Sequence, residues 1–229
     1  MNMINNQRIV FIPVRKGSKG IPGKNLRQLF NKPLIDWILD TLLEKPVADE
    51  IWVATNCPKM KHHIAANYPT VKVYEREAQN AQDQSPTIDV VLEFINKRNL
   101  DRNISFMIAQ ATVPFTSHKD FKNGFHHFAS DSYDSLVACK RIKSFVWDKQ
   151  GTCLSYPLDC KPRRQEYDGI LIESGAFYIS KAGGFQDNLT VTFGKVGVYE
   201  LEPGISIDID EESDWAIAET LIQLKQNKE

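Results

Sequence analysis

The sequence has no apolar run long enough to cross a bilayer or to act as a secretory leader. The first candidate, Ile9 to Pro13, follows a polar start, Met1-Asn2-Met3-Ile4-Asn5-Asn6-Gln7-Arg8, and is far too short. Charge excess is missing as well: 28 Lys and Arg stand against 29 Asp and Glu, a formal net charge of -1, with no basic tail. This balance gives no electrostatic case for nucleic acid, so any nucleotide handled is expected to be small. Cysteine is scarce. Cys57, Cys139, Cys153 and Cys160 form no C-x-x-C pair, which argues against a zinc site, and they read as reduced, mostly buried thiols of a cytoplasmic protein. There is no internal repeat, low-complexity tract or second-domain linker. With 229 residues, 42% hydrophobic and 25% charged, the expectation is a single domain over 1–229 with one sizeable core.

What is present is alternation. Short β-branched runs (Ile9–Val14, Ile51–Thr55, Val71–Tyr74, Ile104–Ala109) are separated by helical patterns: one opened by Pro33 with Leu34, Ile38, Leu39 and Leu42 on one face, one around Pro58 to Tyr68, and one carrying Ile88, Val91, Leu92 and Ile95. That order predicts βαβ units, hence an α/β fold with a mainly parallel central sheet flanked by helices. Ser117, with Asp120 three residues on, predicts an N-cap. From about Ser135 strand-like pieces, Ser135 to Cys139 and Phe145-Val146-Trp147, alternate with turn residues, and Lys161-Pro162-Arg163-Arg164 is basic and expected to be exposed. This predicts an inserted arm at about 140–170. Strands are expected again at Ile172 to Ile179 and Val196 to Leu201, then a helix with Trp215, Ala218, Leu221 and Leu224.

The stretch Pro13-Val14-Arg15-Lys16-Gly17-Ser18-Lys19-Gly20-Ile21-Pro22-Gly23-Lys24-Asn25-Leu26 directly follows the first predicted strand. In open α/β sheets ligands bind beyond the carboxyl ends of strands, where glycines let backbone N–H groups approach phosphate oxygens and Arg and Lys supply charge. It is not a Walker A loop: Gly17 and Gly23 enclose one residue too many, and Asn25 stands where a magnesium-binding hydroxyl is needed. Nor does it match G-x-G-x-x-G. Composition alone favours a flexible basic surface loop; the order of the residues decides.

Arg-x-Gly-Ser-Lys-Gly-Ile-Pro-x-Lys-Asn-Leu after a first strand resembles the signature of the acylneuraminate cytidylyltransferases. The resemblance continues at Ile108-Ala109-Gln110-Ala111-Thr112-Val113-Pro114, at Pro162-Arg163-Arg164-Gln165-Glu166, at Glu173-Ser174-Gly175-Ala176-Phe177-Tyr178, and at Ser206-Ile207-Asp208-Ile209-Asp210 with Asp214 to Glu219. Phe145 to Trp147, Tyr167-Asp168-Gly169 and the Asp-Trp-x-Ile-Ala-Glu ending are similar to the animal-type branch. Longer members of that branch continue into a phosphatase-like domain, which is not expected here. The related 3-deoxy-manno-octulosonate enzymes typically have Arg-Leu-Pro-Gly-Lys-Pro in the first loop, so a nine-carbon acid is favoured. The resemblance implies a Rossmann-like nucleotide-diphospho-sugar transferase fold and transfer of CMP from CTP to the anomeric hydroxyl of a sialic acid, releasing pyrophosphate.

That reaction needs charge neutralised on phosphates while a hydroxyl loses its proton. Arg15 and Lys24, with Gly17 and Ser18 as donors, are the candidates for the triphosphate. Asp208 and Asp210, two apart on an extended stretch, can share Mg2+, and Asp210 is assigned a catalytic role with Arg15 and Lys24. The same acidic run also suits the start of the last helix. For cytosine the resemblance suggests Asn25, Arg76, Ser85 and Thr87, with Asp83 between. For the sugar acid the candidates are Gln110, Arg164, Tyr178 and Phe193. The Arg-Arg-Gln block implies a homodimer with shared active sites. Two departures stand out: Ala54-Thr55-Asn56 replaces the family's frequent Ser-Thr-Asp, and Ser174 replaces the Asn of Glu-Asn-Gly, near the expected sugar pocket. His62-His63 and His126-His127 are read as surface residues. The competing readings are a cytidylyltransferase for deaminated neuraminic acid, another nonulosonate or an octulosonate, and a non-catalytic nucleotide-binding protein.

Overall fold

The structure, a computed structural model, describes residues 7–17, 20–82, 84–204 and 206–226, with Lys225 and Gln226 described by backbone only. Ser18 and Asp83 lie outside the described residues. The first strand, β1 (Arg8–Pro13), carries Ile9, Val10, Phe11 and Ile12, each fully buried. A strand apolar on both faces belongs between two layers. Val10 and Ile12 enter one core and Ile9 and Phe11 the other, as the two-residue alternation of a strand requires.

The chain continues through the short hairpin β2 (Gln28–Leu29) and β3 (Lys32–Pro33), α1 (Leu34–Leu43), β4 (Glu50–Thr55), α2 (Pro58–Asn67), β5 (Lys72–Glu75), α3 (Thr87–Lys97), β6 (Ser105–Ala109) and α4 (His118–Ser130). It closes with β7 (Ser135–Ile142), β8 (Ile170–Lys181), α5 (Ala182–Asn188), β9 (Val196–Glu200) and α6 (Glu212–Gln226). Seven strands form one sheet in the order β5-β4-β1-β6-β8-β7-β9. Neighbours are parallel except that β8 runs against both β6 and β7. The expectation of a mainly parallel α/β sheet is therefore met. The sheet grows one way from β1 through β4 and the other way through β6, which opens a crevice beyond Pro13.

Helices α1, α2 and α4 cover one face and α3 and α5 the other. A third, smaller core joins Ile21, Leu29 and Leu34 to Ile209, Trp215, Ala218 and Ile222. It glues the segment after β1 to the end of the chain. The Ser117 cap forms as expected, with reciprocal bonds to Asp120.

Several expectations need correction. Phe145 to Trp147 is not a strand; Trp147 makes only an isolated bridge with Cys153. The excursion between Ile142 and Ile170, which pair, is instead organised by rings: Phe145 lies 4.9 Å from Tyr156 and 5.1 Å from Tyr167. The buried face of α6 is Trp215, Ala218 and Ile222, whereas Leu224 is exposed, because the face follows the third core and not the leucines. His63 is half-buried on α2, its Nε2 2.7 Å from Asp36 Oδ1, and His127 stacks near Tyr133 and Tyr199, so neither is a plain surface residue. Helix α5, Ala-Gly-Gly-Phe-Gln-Asp-Asn, had no sequence signal. Its Gly184 admits Ser180 Oγ and the Phe193 ring where a Cβ would approach within 2.6 and 2.8 Å.

Candidate active site

After Pro13 the chain leaves the sheet and turns through Gly17, at φ +89°, and Gly23, at φ +68°, conformations that cost glycine little. The loop is tied at both ends. Lys16 N–H donates to Asn56 Oδ1 at 2.7 Å, so the Asn that departs from the family's usual Asp keeps the needed acceptor. Lys24, only 6% exposed, donates from Nζ to Ile209 O at 2.5 Å and to Asp210 Oδ1 at 2.9 Å. Gly20 lies so close to the same segment that a Cβ would stand 2.1 Å from Asp210 O. No side chain fits there. Arg27 extends the contact, with its guanidinium 4.4 Å from the Trp215 ring and Nη1 2.5 Å from Glu212 Oε1. The glycine loop and the aspartate pair, at opposite ends of the sequence, are thus one structure.

The aspartate segment also docks on the turn beyond β6, where Ile209 N–H donates to Thr112 O at 2.8 Å. Ile209 is fully buried, which turns its two neighbours away from the core. Asp210 has a 72% exposed side chain, while Asp208 is sunk against Gly175, whose Cβ would lie 2.7 Å from Oδ2. Burial first, then the charges of Asp210 and Asp214, raise the Asp208 pKa against a Thr112 hydrogen bond and Lys24. Asp208 Oδ1 is buried with no hydrogen-bond partner among the described residues. So are Asn25 Oδ1, Arg76 Nε and Ser206 Oγ. Such groups are costly to leave unmade, and these four lie in segments where a bound polar group could complete them.

On the β5 side, Arg76 is 6% exposed and its Nη2 donates to Asn80 O. Its pKa is lowered by burial and by the Arg15 charge, against Glu93, which places Arg15 and Arg76 in one electrostatic neighbourhood. Ser85 Oγ is taken by Gln79 O at 2.9 Å, and Thr87 opens α3. On the β8 side, Gln110 N–H donates to Ala176 O, and Tyr178 Oη–H donates to Glu173 Oε2 at 3.0 Å. Burial, then Glu173 and Asp208, push the Tyr178 pKa up, so the tyrosine stays a neutral donor beside the aspartates.

Three sugar-side expectations fare differently. Ser174 does not face a pocket: it is 3% exposed, donates to Ala138 O at 2.9 Å and accepts Ala176 N–H at 3.2 Å, stitching the bulge between Val137 and Cys139. Phe193 is a correction. Its N–H and carbonyl both bond Ser135 Oγ, and its ring packs 6.1 Å from Phe185. Ser135 pairs with Ser180, beside the beginning of β6, so Phe193 sits at the end of the sheet opposite the loop. Sequence proximity to a strand does not say which end of it a loop residue joins. Arg164 stands exposed on the arm.

Sequence reasoning missed Thr112, the Gly20 contact, Glu173 and Glu93. A signal existed for the last, a carboxylate set inside the apolar run of α3. Among the described residues no group of three or more His, Cys, Asp and Glu side chains could hold a metal by itself. Two carboxylates with an unpartnered oxygen do suit a hard cation that takes its remaining ligands from water and phosphate.

A family model described as cytidylyltransferase matches residues 9–228. The chain is 33% identical over 215 residues to N-acylneuraminate cytidylyltransferase A of Danio rerio, covering 91% of this chain and 49% of that protein. It thus spans about half the length of the curated relatives of that kind. It is 29% identical over 227 residues to the CMP-N,N'-diacetyllegionaminic acid synthase of Legionella pneumophila, covering 95% and 97% of the two chains. Among solved structures, a CMP:2-keto-3-deoxy-manno-octonic acid synthetase complexed with CTP superposes with TM-score 0.71 at 19% identity, covering 96% of this chain and 99% of that one, which supports the fold. With a family match along nearly its whole length and a glycine loop closed onto an aspartate pair, the chain belongs to the cytidylyltransferase family.

Proposed function

We propose that the chain transfers CMP from CTP to the anomeric hydroxyl of an N-acylneuraminate, releasing pyrophosphate, as a single cytoplasmic domain that dimerises through the arm. The observation that carries this reading is the Lys24 bridge to Ile209 O and Asp210, which closes a phosphate-type loop over two carboxylates. In the reaction the sugar oxygen bonds to the α-phosphorus, the bond to pyrophosphate breaks, and the hydroxyl proton leaves to solvent.

Arg15 neutralises the triphosphate together with backbone N–H groups from Gly17 to Gly20, a role that also fits Ser18. One Lys24 N–H holds Ile209 O and a second holds Asp210 Oδ1, which leaves the third to meet phosphate. Asp208 and Asp210 would hold Mg2+, which when bound lowers the pKa of a coordinated hydroxyl and neutralises phosphate charge. Asn25, with a buried free oxygen, and Arg76, Ser85 and Thr87 line the cytosine side. Gln110 and Tyr178 orient the sugar acid, and Arg164 of a second copy pairs with its carboxylate.

A second reading, another nonulosonate such as a diacetylated legionaminic acid, is favoured by the match along nearly the full length of the Legionella protein. Pyrophosphate release with CTP, Mg2+ and a panel of sugar acids tests both. Turnover of N-acetylneuraminate above the others is expected. Preference for a legionaminic acid selects the second reading, and turnover of the octulosonate alone removes both.

A further inference from the structure

Glu93 carries a carboxylate into an apolar layer: Val90, Val91, Phe94 and Ile95 around it are fully buried, and Glu93 is 8% exposed. A charge in such a place needs donors on every side. Tyr74 Oη–H donates to Oε1 at 2.6 Å, Glu77 N–H to the same oxygen at 3.0 Å and Asn80 Nδ2 to Oε2 at 2.7 Å, with Lys97 Nζ 3.7 Å away. Burial alone would raise the Glu93 pKa; these bonds outweigh it and lower it. The carboxylate therefore stays ionised.

Its partners belong to β5, to the bend after it and to the 3-10 turn Ala78–Ala81. The turn itself has no apolar anchor, since Ala78 and Gln79 are exposed and Asn80 and Ala81 only half-buried. Asn80 is the link. Its amide reaches Glu93, and its carbonyl receives Arg76 Nη2, so the Arg76 guanidinium is held through Asn80 by a carboxylate on α3. Selecting one base over another needs donors that do not yield to the wrong edge, and a turn with no buried side chain of its own cannot supply that stiffness unaided.

We infer that Glu93 is a positioning residue for nucleotide selection, fixing the stretch from Arg76 to Ala81 through Asn80 and so setting Arg76 against the base. The inference rests on the CTP reading above.

Glu93→Gln keeps the volume but offers one acceptor where two are needed, so one donor loses its partner. Steady-state kinetics at saturating sugar acid should show the KM for CTP raised about tenfold, the preference for CTP over UTP lowered about tenfold, and kcat changed less than about twofold. Asn80→Ala cuts the same tie at its half-exposed end without opening the core, and should shift both quantities in the same direction. If both variants keep the CTP KM and the CTP-to-UTP ratio within about twofold of wild type, whatever their melting temperatures, the positioning role is wrong. An equal fall in kcat with both nucleotides also removes it. Wild type assayed alongside separates the two claims: should it prefer another nucleoside triphosphate, the CTP reading falls, and the variants are judged on the KM and selectivity for that nucleotide.

Discussion

The crevice and the arm are built differently. The crevice half is sewn together by polar bonds, of which Lys24 to Ile209 and Tyr74 to Glu93 are buried: Lys24 also reaches Asp210, Ile209 reaches Thr112, Lys16 reaches Asn56, and Glu93 holds three segments at once. The arm between Ile142 and Ile170 is held by its own ring cluster, with Lys161 5.4 Å over Phe145, and carries Arg163, Arg164, Trp147, Leu154 and Leu158 exposed. Preorganised donors suit a ligand whose shape never varies, such as a nucleoside triphosphate. Exposed cations and apolar side chains suit a surface that is completed by contact with something else.

The comparison breaks most sharply at Asp210. Asp210→Ala should lower kcat by about 10²–10³ while CTP binding, read by calorimetry, is retained. Unchanged turnover would show that the sewn half has no chemical role. Next comes the arm: Arg164→Ala should raise the KM for the sugar acid about tenfold or more and leave CTP affinity alone. Mixing Arg164→Ala with Asp210→Ala protein then sharpens the contrast. Shared sites predict recovery to about a quarter of wild-type activity, since half the dimers carry one intact site, whereas sites confined to one chain predict none.

A smaller effect is expected at Ser174. Ser174→Asn should cost about 1–3 kcal/mol of stability, read by urea unfolding, because the larger group has no room in the bulge; sugar preference should not change. The smallest effect concerns pH. The Glu93 pKa is lower in the folded chain than in the unfolded one, so the folded state binds fewer protons. Its contribution is fully present above the ordinary glutamate value of about 4.3 and is lost as pH falls through the lower, folded value. Urea midpoints measured from pH 7 down to pH 3 should therefore fall more steeply for wild type than for Glu93→Gln.

Much of the sewn half was legible because its signals are local. Ile9 to Val14, the glycines after it and the Ser117–Asp120 cap each declare themselves within a few residues. Asp208 and Asp210 could be paired by alternation alone. What could not be read was tertiary: α5 forms against the helix propensity of two glycines because Phe185 is drawn into the second core. Ser174 looked like a pocket residue until the bulge opposite it was seen. Phe193 falls at the end of the sheet away from the loop because it precedes β9, whose direction is fixed by parallel pairing with β7 and not by its own residues. Glu93 was passed over because an apolar count does not ask what a charge inside the pattern is holding.

The Lys24–Ile209 bond spans 185 positions, nearly the whole chain. The last strand of the seven-stranded sheet ends at Glu200, before the aspartate segment begins. Contacts of that range close long loops, so the tie between the glycine loop and the aspartate segment is expected to form last, when α6 and the stretch before it fall onto the loop. Hydrogen exchange after refolding should accordingly protect the Ile209 amide after those of β1 and β6.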